Sequence, residues 1–195
     1  MLPEGWATSL SVIQVNGGVS HSSQPGLASA TATMIAHKAG GSVTLLPTPA
    51  IVEHEGTKRA LEEDKGVASV LENAEASDTF LFSAGPATDV SIHVQSGYID
   101  HSDISRLQGR GAVGDVWGRY ITADGRIADE ALDSRTLGLS LDVLRAASRS
   151  IAVVHGADKH DIALAIAKNG LATVMITDEA TAAYLLSAAD IRKEA

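Results

Sequence analysis

The chain has 195 residues, enough for one hydrophobic core, and we expect a single domain over residues 1–195. Hydrophobic residues make up 45% and charged residues 20%, as in globular rather than disordered proteins, and the absence of cysteine excludes disulfides and thiolate chemistry. The formal net charge of −9 repels a phosphate backbone, which argues against this chain itself binding DNA or RNA.

The first part of the chain predicts alternating strands and helices. Strands are predicted where short apolar runs end near Gly or Pro, over Leu10–Val15, Ser42–Leu46 and Thr79–Ser83. Helices are predicted over Leu27–Ala39, Glu53–Lys65 and Val67–Ala74. His54 lies in the most charged of these segments, but no second His or Asp stands at ligand spacing, so no metal is expected.

The middle of the chain is less regular. Ser91–Gln95 is ambiguous, and Asp100–Leu107 predicts a short helix. Val116–Ile121 and Gly125–Ala128 suggest two β segments joined by an Asp-Gly turn at Asp124-Gly125.

The last part predicts a β-α-β-α unit. After a helix over Leu141–Ala147, buried strands are expected over Ile151–Val154 and Thr173–Ile176, with a helix ending at Asn169-Gly170 between them. Another helix is expected from Thr177. Continuous apolar runs suit strands covered on both faces, so the fold class predicted is α/β, with a mostly parallel sheet and helices on both faces.

Glycine-bearing loops follow three of the predicted strands, at Gly17, Gly85 and Gly156. In a parallel sheet such loops gather at one edge and can line a single pocket. At Gly156 the start of the next helix offers backbone N–H groups to an anion, and Lys159 adds a positive charge. The alternative is an ordinary tight turn with Lys159 in solvent.

Four motifs occur in order along the second half of the chain: GAVGDVWGRYITADGRIAD, LGLSLDVLR, IAVVHGADK and TDEATAAYLL. Together with VIQVNGG, LLPTPAIVE and FLFSAGPA further upstream, they resemble the effector, or sugar-binding, domain of SorC/DeoR-type bacterial transcriptional regulators. The resemblance covers nearly the whole chain. It implies a Rossmann-like fold similar to ribose-5-phosphate isomerase, glucosamine-6-phosphate deaminase and the CoA transferases.

The resemblance also implies a binding site for a phosphorylated sugar. It assigns Gly156 and Lys159 to the phosphate and Asp115 to the sugar hydroxyls. A third contact is implied at the first glycine loop, Asn16, Gly17 and Gly18. Some members have Arg before that glycine pair, and Asn16 does not supply the charge of an Arg, so the number and placement of phosphates on the ligand stay open.

Further implications concern partners. Members use this domain to form dimers or tetramers and contact operator DNA through an N-terminal helix-turn-helix. Neither that module nor the family's first strand-loop-helix unit is recognisable in this sequence, so we expect operator binding only through a module absent from this chain. No segment approaches the length of a membrane span, and the first residues, MLPEGWATS, lack the features of a secretion signal. We therefore expect no membrane partner and a cytoplasmic location, and we expect no cofactor and no metal.

Two other functions are open at this stage. An isomerase or deaminase on the related fold would need a carboxylate base with a His or Lys nearby. The chain offers these residue types at Asp115, Asp178, Glu179, His155 and Lys159. Asp178 and Glu179 have a simpler explanation as first-turn acids of a helix, with Thr177 or Asp178 as its cap. The other function is an oligomerisation module that binds neither ligand nor DNA.

Overall fold

A computed structural model describes residues 3–17 and 27–190 of the chain. These residues form two compact units. The first consists of the described residues within Met1–Ser77, Ser96–Tyr98 and Ser134–Leu139, and the second of those within Asp78–Gln95, Ile99–Asp133 and Ser140–Ala195.

The first unit contains a two-stranded parallel sheet. Its elements are β1 (Ser11–Gln14), α1 (Leu27–Ala39), β2 (Ser42–Leu45), α2 (Glu55–Glu62) and α3 (Lys65–Glu75). β1 pairs with β2 in parallel, with Ser11 opposite Ser42 and Gln14 opposite Leu45. α1 packs on both strands and buries alanines at helical spacing, Ala32, Ala36 and Ala39.

The second unit holds the rest of the secondary structure. Its strands are β3 (Thr79–Phe82), β4 (Ala84–Pro86), β5 (Ala112–Val116), β6 (Arg119–Thr122), β7 (Arg149–Val153) and β8 (Val174–Ile176). Its helices are α4 (Ile92–Gln95), α5 (His101–Gly109), α6 (Glu130–Asp133), α7 (Leu141–Ala146), α8 (His160–Lys168) and α9 (Glu179–Asp190). A 3-10 turn over Ala157–Lys159 leads into α8.

A parallel sheet of order β3-β7-β8 lies in the second unit. Its two faces differ, because side chains alternate along each strand. One face is buried and includes Phe80, Phe82 and Ala152. The other face carries exposed apolar side chains from all three strands: Leu81, Val153, Val174 and Ile176.

An antiparallel sheet of order β4-β5-β6 completes the second unit. β5 and β6 form a hairpin whose two turn residues, Trp117 and Gly118, both have left-handed backbone angles, φ 56° and 79°. Such a pair matches the twist of a tight hairpin. Trp117 is held there by edge-on ring contacts with Phe80 and Phe82, at centroid distances of 5.8 and 6.1 Å.

This hairpin corrects one prediction. The β segment predicted over Val116–Ile121 is wrong, because the chain reverses within it at Trp117-Gly118. The predicted turn at Asp124-Gly125 does exist, with a hydrogen bond from Gly125 N–H to the Thr122 carbonyl. It returns the chain to an isolated bridge between Ile121 and Ile127 rather than to a full strand.

The predicted α/β class, with parallel strands and helices, is confirmed. The first helix has the predicted bounds, and the ambiguous Ser91–Gln95 segment contains the short helix α4. Within residues 3–17 and 27–190, no helix is long and apolar enough to cross a membrane.

Helix α8 connects the fold to the predicted phosphate loop. Its inward face is formed by Ile162, Ala163, Ala165 and Ile166, all buried. This face packs against β4, β5 and β6. The amphipathic spacing of α8 therefore fixes the position of the loop that precedes it, His155–Lys159.

Candidate functional site

Asp115 lies on β5, two residues before the hairpin turn, and is buried. Its Oδ2 atom accepts a hydrogen bond from the Gly118 N–H at 2.9 Å. The same oxygen lies 3.2 Å from Nε2 of His93, which is also buried. The carboxylate is thus anchored through one oxygen by the turn and by an imidazole.

The second oxygen of Asp115 has a different environment. In the described part of the chain, Oδ1 is buried and makes no hydrogen bond. It faces Gly85, which pairs with Asp115 across β4 and β5. A Cβ atom at Gly85 would overlap with Oδ1, so glycine is what allows the carboxylate to reach this position. A buried acceptor without a donor costs free energy, which is an arrangement expected of a binding site.

The environment of Asp115 shifts the pKa values of its neighbours. Burial alone would lower the pKa of His93, but the charge of Asp115 and the hydrogen bond to it outweigh burial and raise that pKa above its usual value. Burial, and then the negative charge of Asp115, raise the pKa of Tyr120 well above the usual range. The Tyr120 hydroxyl lies 3.4 Å from Ser91 Oγ. Asp115 therefore belongs to a buried polar cluster with one histidine and one tyrosine.

The second part of the candidate site is the loop that connects β7 to α8. Gly156 has a φ of 97°, a left-handed angle that favours glycine, and the 3-10 turn follows directly. The Gly156 N–H donates to Asp178 Oδ2 at 2.8 Å. The N–H of Gly156 is therefore already bonded to a carboxylate, and an anion at this loop would have to use later N–H groups and the half-buried Lys159.

Asp178 has a structural role in this loop. Its Oδ1 accepts the Thr181 N–H at 2.8 Å at the start of α9, which confirms the predicted helix cap. The backbone N–H of Thr181 and then that of Gly156 lower the pKa of Asp178 to about 2. These contacts use both oxygens, so Asp178 is not poised as a catalytic base. The adjacent Glu179 and the loop residue His155 are exposed.

The structure brings Asp115 and the Gly156–Lys159 loop to the same strand. β4 pairs with β5 at Gly85 and Asp115, and β4 also packs against the 3-10 turn and α8. The two predicted contact points of the second unit therefore both lie next to β4.

Asn16 and Gly17 lie in the first unit, at the end of β1. The buried Gln14 donates from Nε2 to the Asn16 carbonyl at 2.6 Å and accepts from Ser29 Oγ at 2.9 Å, which fixes the loop. Gly17 lies against the backbone of Pro49 in the loop after β2. Gly18 lies outside the described residues. The predicted contribution of these three residues to one ligand site stays a prediction.

Sequence reasoning missed His93 and Tyr120. His93 lies in the segment that was ambiguous, and nothing in its local sequence relates it to Asp115, 22 positions later. Tyr120 lies in the segment Val116–Ile121, which the sequence predicts as one strand although it contains the hairpin turn. Only the tertiary pairing of α4 with the hairpin brings these side chains together.

A groove of about 450 Å³ elsewhere in the second unit is a weaker candidate. Its lining includes three arginines, Arg119, Arg126 and Arg145. Each has an acidic partner, at 2.7 Å for Asp133, 3.1 Å for Asp124 and 2.7 Å for Asp142. Because these charges are already paired, the groove has little excess positive charge for an anionic ligand. Among the described residues, no three His, Cys, Asp or Glu side chains form a metal-binding group.

Comparisons with known proteins identify the family to which this chain belongs. The Sugar-bind family model, a sugar-binding domain, matches residues 2–187. The chain is 30% identical over 176 residues to the deoxyribonucleoside regulator of Bacillus subtilis strain 168. The aligned region covers 90% of this chain and 56% of that protein. The chain spans about half the length of the curated relatives it matches.

Solved structures agree with this assignment. A DeoR family transcriptional regulator from Listeria monocytogenes superposes with a TM-score of 0.83 at 25% identity, covering 93% of this chain and 72% of that chain. The full-length sorbitol operon regulator SorC from Klebsiella pneumoniae shares the fold, with a TM-score of 0.83 at 18% identity over 94% of this chain and 60% of that chain. The chain belongs to the sugar-binding domain family of DeoR/SorC-type transcriptional regulators.

Proposed function

We propose that this chain is the effector-sensing domain of a bacterial transcriptional regulator and that its ligand is a phosphorylated sugar or polyol. The observation that carries the proposal is the buried, unpartnered Oδ1 of Asp115, next to a strand that also contacts the Gly156–Lys159 loop. A sugar hydroxyl supplies the donor that Oδ1 lacks. The phosphate is bound by Lys159 and by N–H groups at the start of α8.

The chain acts by binding and has no catalytic activity of its own. Relatives that carry this domain are transcriptional regulators, which supports this proposal. The geometry of Asp178 supports it as well, because both of its oxygens accept structural hydrogen bonds. As a regulator domain it functions in the cytoplasm, forms a dimer or tetramer, and depends on a separate helix-turn-helix module for contact with operator DNA.

A calorimetric screen of sugar and polyol phosphates against their unphosphorylated counterparts tests this function. A ligand that binds only the folded state stabilises it by about 2.7 kcal/mol at one hundred times its Kd, so a true effector also raises the melting temperature. We expect one or more phosphorylated compounds to bind and the unphosphorylated forms to bind much more weakly. Turnover of the bound compound would indicate an enzyme, and absence of binding throughout the screen would indicate an oligomerisation module.

A further inference from the structure

The carboxylate of Asp115 is held from one side only. Gly118 N–H and His93 Nε2 both contact Oδ2, at 2.9 and 3.2 Å. The side chains of His93 and Asp115 are each only 8% exposed, so water does not replace these contacts. Two donors on one oxygen fix the rotation of the carboxylate and leave the other oxygen without a donor.

Rotation of this carboxylate matters because it decides which groups Oδ1 faces. On one side it faces the backbone of Gly85, where there is no side chain. If the contact with His93 were lost, the carboxylate could turn toward other donors and Oδ1 would no longer be presented in a fixed direction. Precise hydrogen bonding to a ligand needs this kind of support from a neighbouring group.

We infer that His93 is a positioning residue for Asp115. It fixes the carboxylate so that Oδ1 is presented to a hydroxyl group of the ligand. It also makes the affinity for the hydroxylated part of the ligand depend on pH. The inference rests on the proposed function, since it concerns the same site. It adds a residue, and a mode of regulation, to that site.

The direction of the pH dependence follows from the charge of the imidazole. The raised pKa of His93 means that the ring is protonated below its ordinary value of about 6.5 and for some distance above it. The protonated ring donates a charge-assisted hydrogen bond, which is roughly twice as strong as a neutral one. Hydroxyl-dependent affinity is therefore highest below about pH 6.5 and falls as the pH rises through the raised pKa of His93.

Other ionisable groups surround this pair, and any test has to distinguish the effect of their protonation from that of His93. Tyr120 on β6 meets the His93 ring edge-on at 6.0 Å, and its raised pKa keeps it neutral in this pH range. The ionisable residues on the neighbouring elements are in contact with other side chains: His101, Asp103 and Arg106 on α5, Arg119 on β6, and His160 and Asp161 on α8. His101, which is exposed and paired with Asp89, is the matched control, because it is a histidine of the same unit that also has a raised pKa but lies outside the candidate site.

The test is calorimetry with two sugar phosphates, ribose 5-phosphate and fructose 6-phosphate, and with ethyl phosphate, which has the phosphate monoester but none of the hydroxyls. The ratio of sugar phosphate affinity to ethyl phosphate affinity cancels the ionisation that the phosphates share. For the parent chain we expect this ratio to fall roughly tenfold between about pH 6 and pH 8.5. His93→Gln keeps a neutral donor and should make the ratio independent of pH, whereas His101→Gln should keep the pH step.

Each outcome is decisive. A parent ratio that does not change with pH, or an unchanged pH step in His93→Gln, overturns the inference and leaves the proposed function intact. Absence of sugar phosphate binding by the parent overturns both. If His93→Gln does not fold, the ring resonances of His93 are titrated by NMR in the parent with and without ribose 5-phosphate. A pKa of His93 that does not respond to the sugar phosphate then overturns the inference.

Discussion

Two aspartates of the candidate site have opposite environments. Asp115 is buried and paired with an imidazole, whereas Asp178 is close to solvent and bonded to backbone N–H groups. The first therefore depends on the protonation of a partner, and the second on its own ionisation. The contribution of the Asp115 pair to the free energy of unfolding should be lost as the pH rises, and the contribution of Asp178 should be lost as the pH falls.

For Asp115 we expect a substitution to destabilise most at low pH. The His93 pKa is raised in the folded state, so its stabilising contribution is complete below about pH 6.5 and is lost as the pH rises through the folded value. Asp115→Asn should cost about 3–5 kcal/mol at pH 6, the range for removing one partner of a buried charge pair, and clearly less at pH 8.5. Urea unfolding at the two pH values measures this. An equal cost at both would mean that His93 is not charged by its contact with Asp115.

For Asp178 the stabilising contribution belongs to the ionised form. Its pKa is lowered to about 2, so the contribution is present above its ordinary value near 4 and is lost as the pH falls toward 2. Asp178→Asn should lower the melting temperature at pH 7 and flatten its decline between pH 4 and 2. Glu179→Gln, an exposed acid in the same turn, is the control and should leave that decline unchanged. The same acid profile in both variants would contradict the assignment.

At the scale of elements, the β5–β6 hairpin determines where Asp115 points. Gly118 has a φ of 79° and donates its N–H to Asp115. Gly118→Ala should cost about 1–2 kcal/mol, because a residue with a Cβ is strained in this region. Gly109→Ala, at the end of α5 and with open space around it, should be neutral or slightly stabilising. Thermal unfolding of both variants checks this, and an unchanged Gly118→Ala protein would contradict the turn geometry.

The same hairpin shows where sequence reasoning ends. Periodicity and Gly punctuation predicted the strands β1, β2, β3, β7 and β8, because each is a short apolar run with its own boundary. The hairpin turn has Trp117 at a left-handed angle, which local propensity disfavours. Packing of its ring against Phe80 and Phe82 favours the turn there, and such contacts are not visible in the local pattern.

The candidate site, like the fold, could be predicted from the sequence only in part. Gly156, Lys159 and Asp115 were predicted from motifs, and the structure brings Asp115 and the Gly156 loop to β4. The contact between Gly156 and Asp178, and the one between His93 and Asp115, join residues 22 positions apart. Neither pair has a spacing that marks it in the sequence.

At the scale of the whole molecule, one apolar sheet face of the second unit is exposed in the part of the chain that the structure describes. Leu81, Val153, Val174 and Ile176 lie on one face of the β3-β7-β8 sheet and are 36–55% exposed. Parallel sheets are normally covered on both faces, so this face is a candidate contact with another chain. It supports the proposed dimer or tetramer.

We therefore expect the chain to associate with itself at micromolar concentrations and Ile176→Lys to weaken that association at least tenfold, an order-of-magnitude expectation for placing a charge in an apolar interface. Light scattering over a concentration series measures it. Val90→Lys is the control, since Val90 is equally apolar and more exposed but lies outside the sheet. A monomeric parent at high micromolar concentration would contradict the proposed oligomer.

The central claim, that Asp115 and the loop before α8 bind a phosphorylated sugar, is tested most directly by calorimetry on two lysine variants of one helix region. Lys159 lies at the start of α8 and Lys168 at its end. For the best sugar phosphate in the screen, Lys159→Ala should weaken binding by about 1.5–3 kcal/mol, as for a lost hydrogen bond to a charged group. Lys168→Ala should bind as the parent does. Equal affinity of Lys159→Ala and the parent would place the phosphate elsewhere and contradict the account.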